Sequence, residues 1–189
     1  MISPIGFNSI AFSSKIDKSR LNRNVSFTSS DIGSSDFSSF LESKTYDYAC
    51  VDKSRDFFVG AWPMSDNDMI FLANKKATVI DFDYDKIMGT KKFAKNLGLK
   101  YLGLDDIADP KNIKACYRGI VNKMKEAKGP VLLHSFRAKD EPFYMGALYM
   151  IKEKGISVKE AAEIIEHKIL IQPRFDLIEA LEKMLKQLL

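Results

Sequence analysis

Val131, Leu132, Leu133 and His134 form an unbroken run after the Gly129-Pro130 break, and Pro142 opens a helical pattern eight residues further on. An apolar run without polar alternation belongs to a strand covered on both faces, the usual state of a parallel strand. A chain containing one must place helices on either side of a sheet. In sheets of this kind ligands sit beyond the C-terminal ends of the strands. The segment that leaves this strand, 134–142, is therefore the first place to look for function.

The rest of the chain supplies the strands and helices such a sheet requires. Alternation over 46–50 and the β-rich run 57–62, ended by Pro63, predict a pair of short strands. Ser65 reads as the cap of a helix to about Lys75, with Asp66 and Asp68 opposing the positive end of its dipole. The β-branched stretch 78–82 predicts a strand, 86–96 a helix stopped by Gly98, and 100–104 another strand. Asp109 followed by Pro110 reads as a helix cap and first-turn proline, ahead of an apolar stripe made by Ile113, Cys116, Tyr117, Ile120, Val121 and Met124.

From Pro142 the pattern is helical to the end. The first helix carries Met145, Leu148 and Tyr149 on one face and stops at Gly155. Ser157 and Glu160 form a capping-box pattern for the next, which carries Ala161, Ile164 and Ile165. A last amphipathic helix after Pro173 bears Leu177, Ile178, Leu181, Met184, Leu185 and Leu188. The expected fold class is α/β, a mostly parallel central sheet flanked by helices with a C-terminal helical bundle. It should occupy 44–189. Residues 1–43, dense in Ser and without periodicity, read as a disordered tail that concentrates too little apolar surface to offset its ordering entropy.

Several function classes are excluded early. The net charge of +4 is spread along helices that alternate Lys with acids, so no basic stripe for nucleic acid is present. No apolar run approaches the roughly 20 residues of a membrane span. Two cysteines, Cys50 and Cys116, form neither a disulfide framework nor a metal-type spacing, and each reads as a small buried hydrophobe. The N-terminus lacks a basic region followed by a continuous apolar one, so a cytoplasmic protein is expected, or one exported through its tail without a classical signal peptide.

The order of elements resembles the cysteine-dependent tyrosine and dual-specificity phosphatases. The resemblance rests on two stretches. One is 56–83, a strand ending in Pro, a Ser-capped helix and a "VID" strand. The other is 131–165, where a strand and loop match "VLVHCxxGKDRTG" and two helices succeed them, the first ending in Gly and the second Ser-capped. The resemblance implies a low-pKa thiolate that attacks phosphorus from a loop whose N–H groups cradle the phosphate, with an Arg clamping two oxygens.

Taken position by position, the resemblance implies a degenerate loop consisting of His134, Ser135, Phe136, Arg137, Ala138, Lys139, Asp140, Glu141 and Pro142. Ser135 stands at the nucleophile, Ala138 at the loop Gly, Glu141 at the clamping Arg and Pro142 at the hydroxyl residue that supports the thiolate, whereas His134, Lys139 and Asp140 match. Asp83 stands where the earlier strand usually ends in Arg. The general acid maps to the loop with Asp105, Asp106 and Asp109, and Asp106 is the best match, although Asp109 also reads as a helix cap.

These changes have direct chemical consequences. A Ser hydroxyl stays protonated without a neighbouring base, and His134, one residue earlier on a strand, points to the opposite face. Glu141 replaces a cation with an anion, a repulsion of about 4 kcal/mol against a charge 4 Å away at an effective dielectric of 20. Arg137 and Lys139 offer compensating charge only if they turn inward, and loop cations are ordinarily solvated. The three acids have no fixed ligand spacing, so no metal and no cofactor is expected.

The expected function is that of a catalytically inactive phosphatase-like binding or regulatory module for an unidentified protein or anionic ligand. The alternative is a weak phosphoester hydrolase using Ser135, or a carboxylate such as Asp140, with Asp105/Asp106 as acid. A third reading makes the tail an address and the domain a decoy for a partner phosphoprotein.

Overall fold

The computed structural model describes residues 47–61, 64–83, 88–109, 111–135, 141–166 and 177–188. The expectations for the tail, Trp62, Pro63, Pro110 and Pro173, and for most of the loop after Ser135, lie outside these residues. Strands β1 (Asp47–Asp52), β2 (Phe57–Ala61), β3 (Thr78–Asp81), β4 (Lys100–Gly103) and β5 (Val131–Ser135) form one sheet in the order β1-β2-β5-β3-β4. Only β1 runs antiparallel, paired with β2 through a tight connection at Lys53–Arg55. β5 lies in the middle, parallel to β2 on one side and to β3 on the other.

That central position explains the unbroken apolar run. All five residues of β5 are buried, and successive side chains enter two different cores. Val131 and Leu133 join Phe57, Val59, Ala61 and Ile80 on one face, whereas Leu132 joins Phe58, Val79 and Tyr101 on the other. The second face is covered by α1 (Asp66–Asn74) and α2 (Met88–Asn96), which contribute Met69, Phe71, Leu72 and Ala94. The first face is covered by α3 (Ile113–Glu126), α4 (Glu141–Lys154), α5 (Val158–Glu166) and α6 (Leu177–Leu188). The mixed, mostly parallel α/β architecture is thus as expected.

Ser65 caps α1 with a reciprocal capping box: its Oγ accepts from Asp68 N at 3.2 Å, and Asp68 Oδ2 accepts from Ser65 N at 2.9 Å. Gly98 follows α2 at a φ of +69°, the left-handed turn that stops a helix. All six residues of the α3 stripe are buried. Its cap, however, is Asn112, whose side chain accepts from Ala115 N, and not Asp109. Asp109 instead closes the turn before it, accepting from Lys111 N through Oδ1 at 3.0 Å.

Helix α4 departs most from its amphipathic reading. Every residue from 141 to 150 is buried, because α4 lies between the sheet and the helices α3, α5 and α6. Its close seat on the sheet depends on Gly146, where an added Cβ would stand 2.7 Å from Val59 Cγ1 and 2.9 Å from Val51 Cγ2. On α6, Leu177, Leu181, Met184 and Leu188 are buried, but Ile178 is 37% exposed because it lies beyond the edge of the buried stripe. No helix among the described residues is long and apolar enough to cross a membrane.

Candidate functional site

Because β3, β4 and β5 are parallel, the segments beyond their last residues gather along one edge of the sheet. That edge receives Asp83 from β3, the turn Leu104–Asp106 from β4 and Ser135 from β5. Ser135 and His134 are both fully buried. Ser135 pairs in register with Ala61 of β2, and His134 with Asp81 of β3. Strand alternation puts His134 on the α1/α2 face and Ser135 on the α4 face, so His134 is on the wrong side of the sheet to take the Ser135 proton.

The partner of Ser135 is a carboxylate. Its hydroxyl donates to Asp83 Oδ2 at 2.7 Å, and Asp83 is 3% exposed. Asp83 is fixed in turn by its own backbone N–H, which donates to Asp81 Oδ1 at 2.8 Å. Asp81 accepts the Tyr101 hydroxyl from β4 on its other oxygen, and His134 Nδ1 stands 3.9 Å from Asp81 Oδ1, beyond hydrogen-bond length. A buried polar chain therefore runs from β4 through β3 to β5. Phe82 N donates to the His134 carbonyl at 2.9 Å and ties the end of β3 to β5 directly.

Glu141 is the first residue of α4 and is 5% exposed. A carboxylate at this position opposes the positive end of the α4 dipole, the place an incoming anion would otherwise take. The intervening residues 136–140, with Phe136, Arg137, Ala138, Lys139 and Asp140, lie outside the described residues.

The acid turn lies one strand removed. β4 is separated from β5 by β3, about 10 Å at two inter-strand spacings. Asp105, Asp106 and Asp109 are all exposed, and Asp106 spends Oδ2 on Gly103 N at 2.8 Å. The turn is carried on α3, where a Cβ at Gly119 would come 3.1 Å from the Ile107 carbonyl. Cys116 on the same helix donates its Sγ to the Asp109 carbonyl at 3.2 Å, and burial, with Asp109 and Asp105 nearby, pushes its thiol up to about 11. Burial likewise raises the Cys50 thiol. Among the described residues no group of His, Cys, Asp and Glu is arranged to hold a metal ion.

The residues missed in the sequence are Asp81, Tyr101 and the role of Asp83. Two acids spaced two apart at the end of an otherwise β-branched, buried strand were the available signal, since buried carboxylates are almost always held by partners.

No family model and no curated protein matches this sequence. Solved structures do. The chain superposes on the crystal structure of the PTP-2 phosphatase of Cydia pomonella with a TM-score of 0.55 at 17% identity, over 73% of this chain and 89% of that one. It superposes on the crystal structure of P. aeruginosa TpbA with a TM-score of 0.51 at 18% identity, over 76% and 96%. The fold is that of the protein tyrosine phosphatases. Within this phosphatase fold the end of the central strand β5 and the start of α4 lie at the C-terminal edge of the sheet, the edge singled out by the apolar run alone.

Proposed function

We propose that this phosphatase-fold chain does not hydrolyse phosphate esters and acts as a binding or regulatory module. The observation that carries the reading is the buried hydrogen bond from Ser135 to Asp83. A hydroxyl at the nucleophile position is a weak nucleophile unless a base removes its proton, and here the hydroxyl is engaged by a buried carboxylate at the end of β3. Its geometry suits holding a strand end, and the buried Glu141 beyond the loop adds negative charge where a cation would clamp a phosphate.

The Ser135–Asp83 contact also supports a second reading, because Asp83 accepts the one proton that attack by Ser135 would have to shed. Asp105 or Asp106 would then serve as the acid of a weak hydrolase. Against it stand the use of Asp106 as a cap on Gly103 and the distance across β3.

The two readings separate in one assay. Metal-free protein is expected to release no phosphate from p-nitrophenyl phosphate above a Ser135→Ala control. Turnover that depends on Ser135 and is abolished by Asp106→Asn would establish the hydrolase instead. The ligand of the module is an unidentified protein or anionic group, and no cofactor is part of the proposal.

A further inference from the structure

We propose that the edge of the sheet opposite the candidate site is a docking face for an anionic lipid bilayer: the connections at the N-terminal ends of the parallel strands gather Lys53, Arg55, Lys75, Lys76, Lys100 and Lys128 into one basic surface. The proposal goes beyond the reading of Ser135 and does not depend on it.

All five strands meet this edge at one level. Asp52 pairs with Phe57, Phe57 with Val131, Val131 with Thr78 and Thr78 with Lys100. The connections therefore emerge side by side over about 19 Å, four inter-strand spacings. They also touch one another. Val131 N donates to the Asp56 carbonyl at 2.9 Å and Thr78 N to the Pro130 carbonyl at 2.8 Å, and a Cβ on Gly129 would stand 2.6 Å from the Lys76 carbonyl. α1, which ends beside Lys75 and Lys76, lies on one side of the sheet; α3, which ends shortly before Lys128, and α4, which ends at Lys154, lie on the other. The cations thus cover an area, not a line.

The segments 52–56, 75–77, 97–100, 125–130 and 152–157 hold nine Lys or Arg and four acids, and each supplies only one or two of the cations, so no run of sequence discloses the surface. Two of the acids are neutralised in place, Asp52 by Lys154 at 2.6 Å and Glu126 by Lys123 at 2.8 Å. The six cations named above form no ion pair with a described residue, and all but the half-buried Lys75 are exposed. Helix dipoles account for lysines at helix ends. Arg55 and Lys100, however, end no α-helix, and Lys76 has a φ of +54°, the left-handed position that Gly or Asn ordinarily fills.

A level array dominated by Lys suits a plane of anions, which demands no register, better than a single phosphate, which favours a bidentate Arg. The one large apolar side chain exposed among the described residues, Ile178, belongs to α6 and to none of these connections. The edge therefore offers no aromatic platform for unpaired bases and no apolar wedge for the bilayer. Attachment is electrostatic, screened by salt, and worth about fivefold in affinity per cation. With this edge seated, Ser135 and the acid turn, at the other ends of their strands, face the aqueous side.

Co-sedimentation of the full chain with lipid vesicles tests the proposal. The chain is expected to bind vesicles of phosphatidylserine and phosphatidylcholine in equal parts, to ignore pure phosphatidylcholine, and to be released by high salt. Arg55→Gln/Lys128→Gln should bind at least about tenfold more weakly. Lys111→Gln/Arg118→Gln removes the same charge from exposed positions away from this edge and should stay within about twofold of wild type. If Arg55→Gln/Lys128→Gln loses the wild-type circular dichroism spectrum, Lys76→Gln/Lys100→Gln is judged on the same terms. Absence of binding to the anionic vesicles at low salt, or equal losses in the two charge-matched variants, overturns the proposal. So does capture by duplex DNA or polyglutamate under conditions where the vesicles are not bound.

Discussion

Asp52, at the end of β1, is the point where the far end of α4 is fastened to the sheet, and replacing it with Ala has a cost that can be worked out contact by contact. The carboxylate is 5% exposed. It accepts from Ser54 N at 3.0 Å, Ser54 Oγ at 2.7 Å and Tyr149 OH at 3.0 Å, and pairs with Lys154 Nζ at 2.6 Å. Removing it strands the buried Tyr149 hydroxyl, at about 1–3 kcal/mol. The lost cap on Ser54 N costs about 1 kcal/mol. The Lys154 side chain is 35% exposed and returns to water, so after screening its ion pair adds no more than about 1 kcal/mol.

The expected total is about 2–5 kcal/mol, or a Tm lower by roughly 5–20 °C for a chain of this size. Urea denaturation of Asp52→Ala beside wild type measures it. The pH dependence provides an independent check. Burial pushes the Asp52 carboxyl up, but the bonds from Lys154, Ser54 and Tyr149 outweigh it and hold the pKa below the ordinary value. A depressed carboxyl contributes stability above its unfolded pKa of about 3.9 and loses it as the pH falls through the folded value. Wild type and Asp52→Asn should therefore differ most near neutrality and converge in acid. A difference under about 0.5 kcal/mol at pH 7, or one that does not narrow in acid, would refute the reasoning.

Ser135→Ala leaves a buried carboxylate oxygen of Asp83 without its hydroxyl donor, and a loss of about 1.5–3 kcal/mol by chemical denaturation is expected. Gly146→Val drives β-branched bulk into Val51 and Val59, neither of which has rotamers to spare, so a loss of about 1–3 kcal/mol should appear in the thermal melt. Cys116, with its thiol pushed up to about 11 and its side chain buried, should resist alkylation at pH 8 until denaturant is added. Burial and the Asp52 carboxylate raise Tyr149 to about 12, and burial and Glu153 raise Tyr117 as well. Raised groups favour the fold below their unfolded pKa, so stability should fall as the pH climbs above about 10, and Tyr149→Phe should flatten that decline.

The fold was legible wherever one periodicity ruled a segment. The β5 run, the Ser65 cap and the α3 stripe each answer to local chemistry, and each stands where its residues indicated. The reading slipped where tertiary context took over. Asp109 and Asn112 are both competent caps, and in the fold Asn112 caps the helix while Asp109 is engaged by Lys111 N in the turn before it. The one-sided reading of α4 failed because three helices and a sheet surround it, which no helical period discloses. For the candidate site, Ser135, Glu141 and the acid turn were nameable from the order of elements. The bond between Ser135 and Asp83 was not, since 52 residues separate the partners and only the pairing of β3 with β5 brings them together.

The division of β5 between two cores also limits how this protein can change over time. Leu132 and Leu133 serve different interiors, and so do His134 and Ser135. Inserting or deleting a single residue in the strand would exchange the two sets, burying an imidazole among the aliphatic side chains under α4 and turning the hydroxyl away from Asp83. Length variation in descendants of this chain should therefore be tolerated between elements and be absent from β5, and substitutions at 134 and 135, although neighbours in sequence, should vary independently of one another.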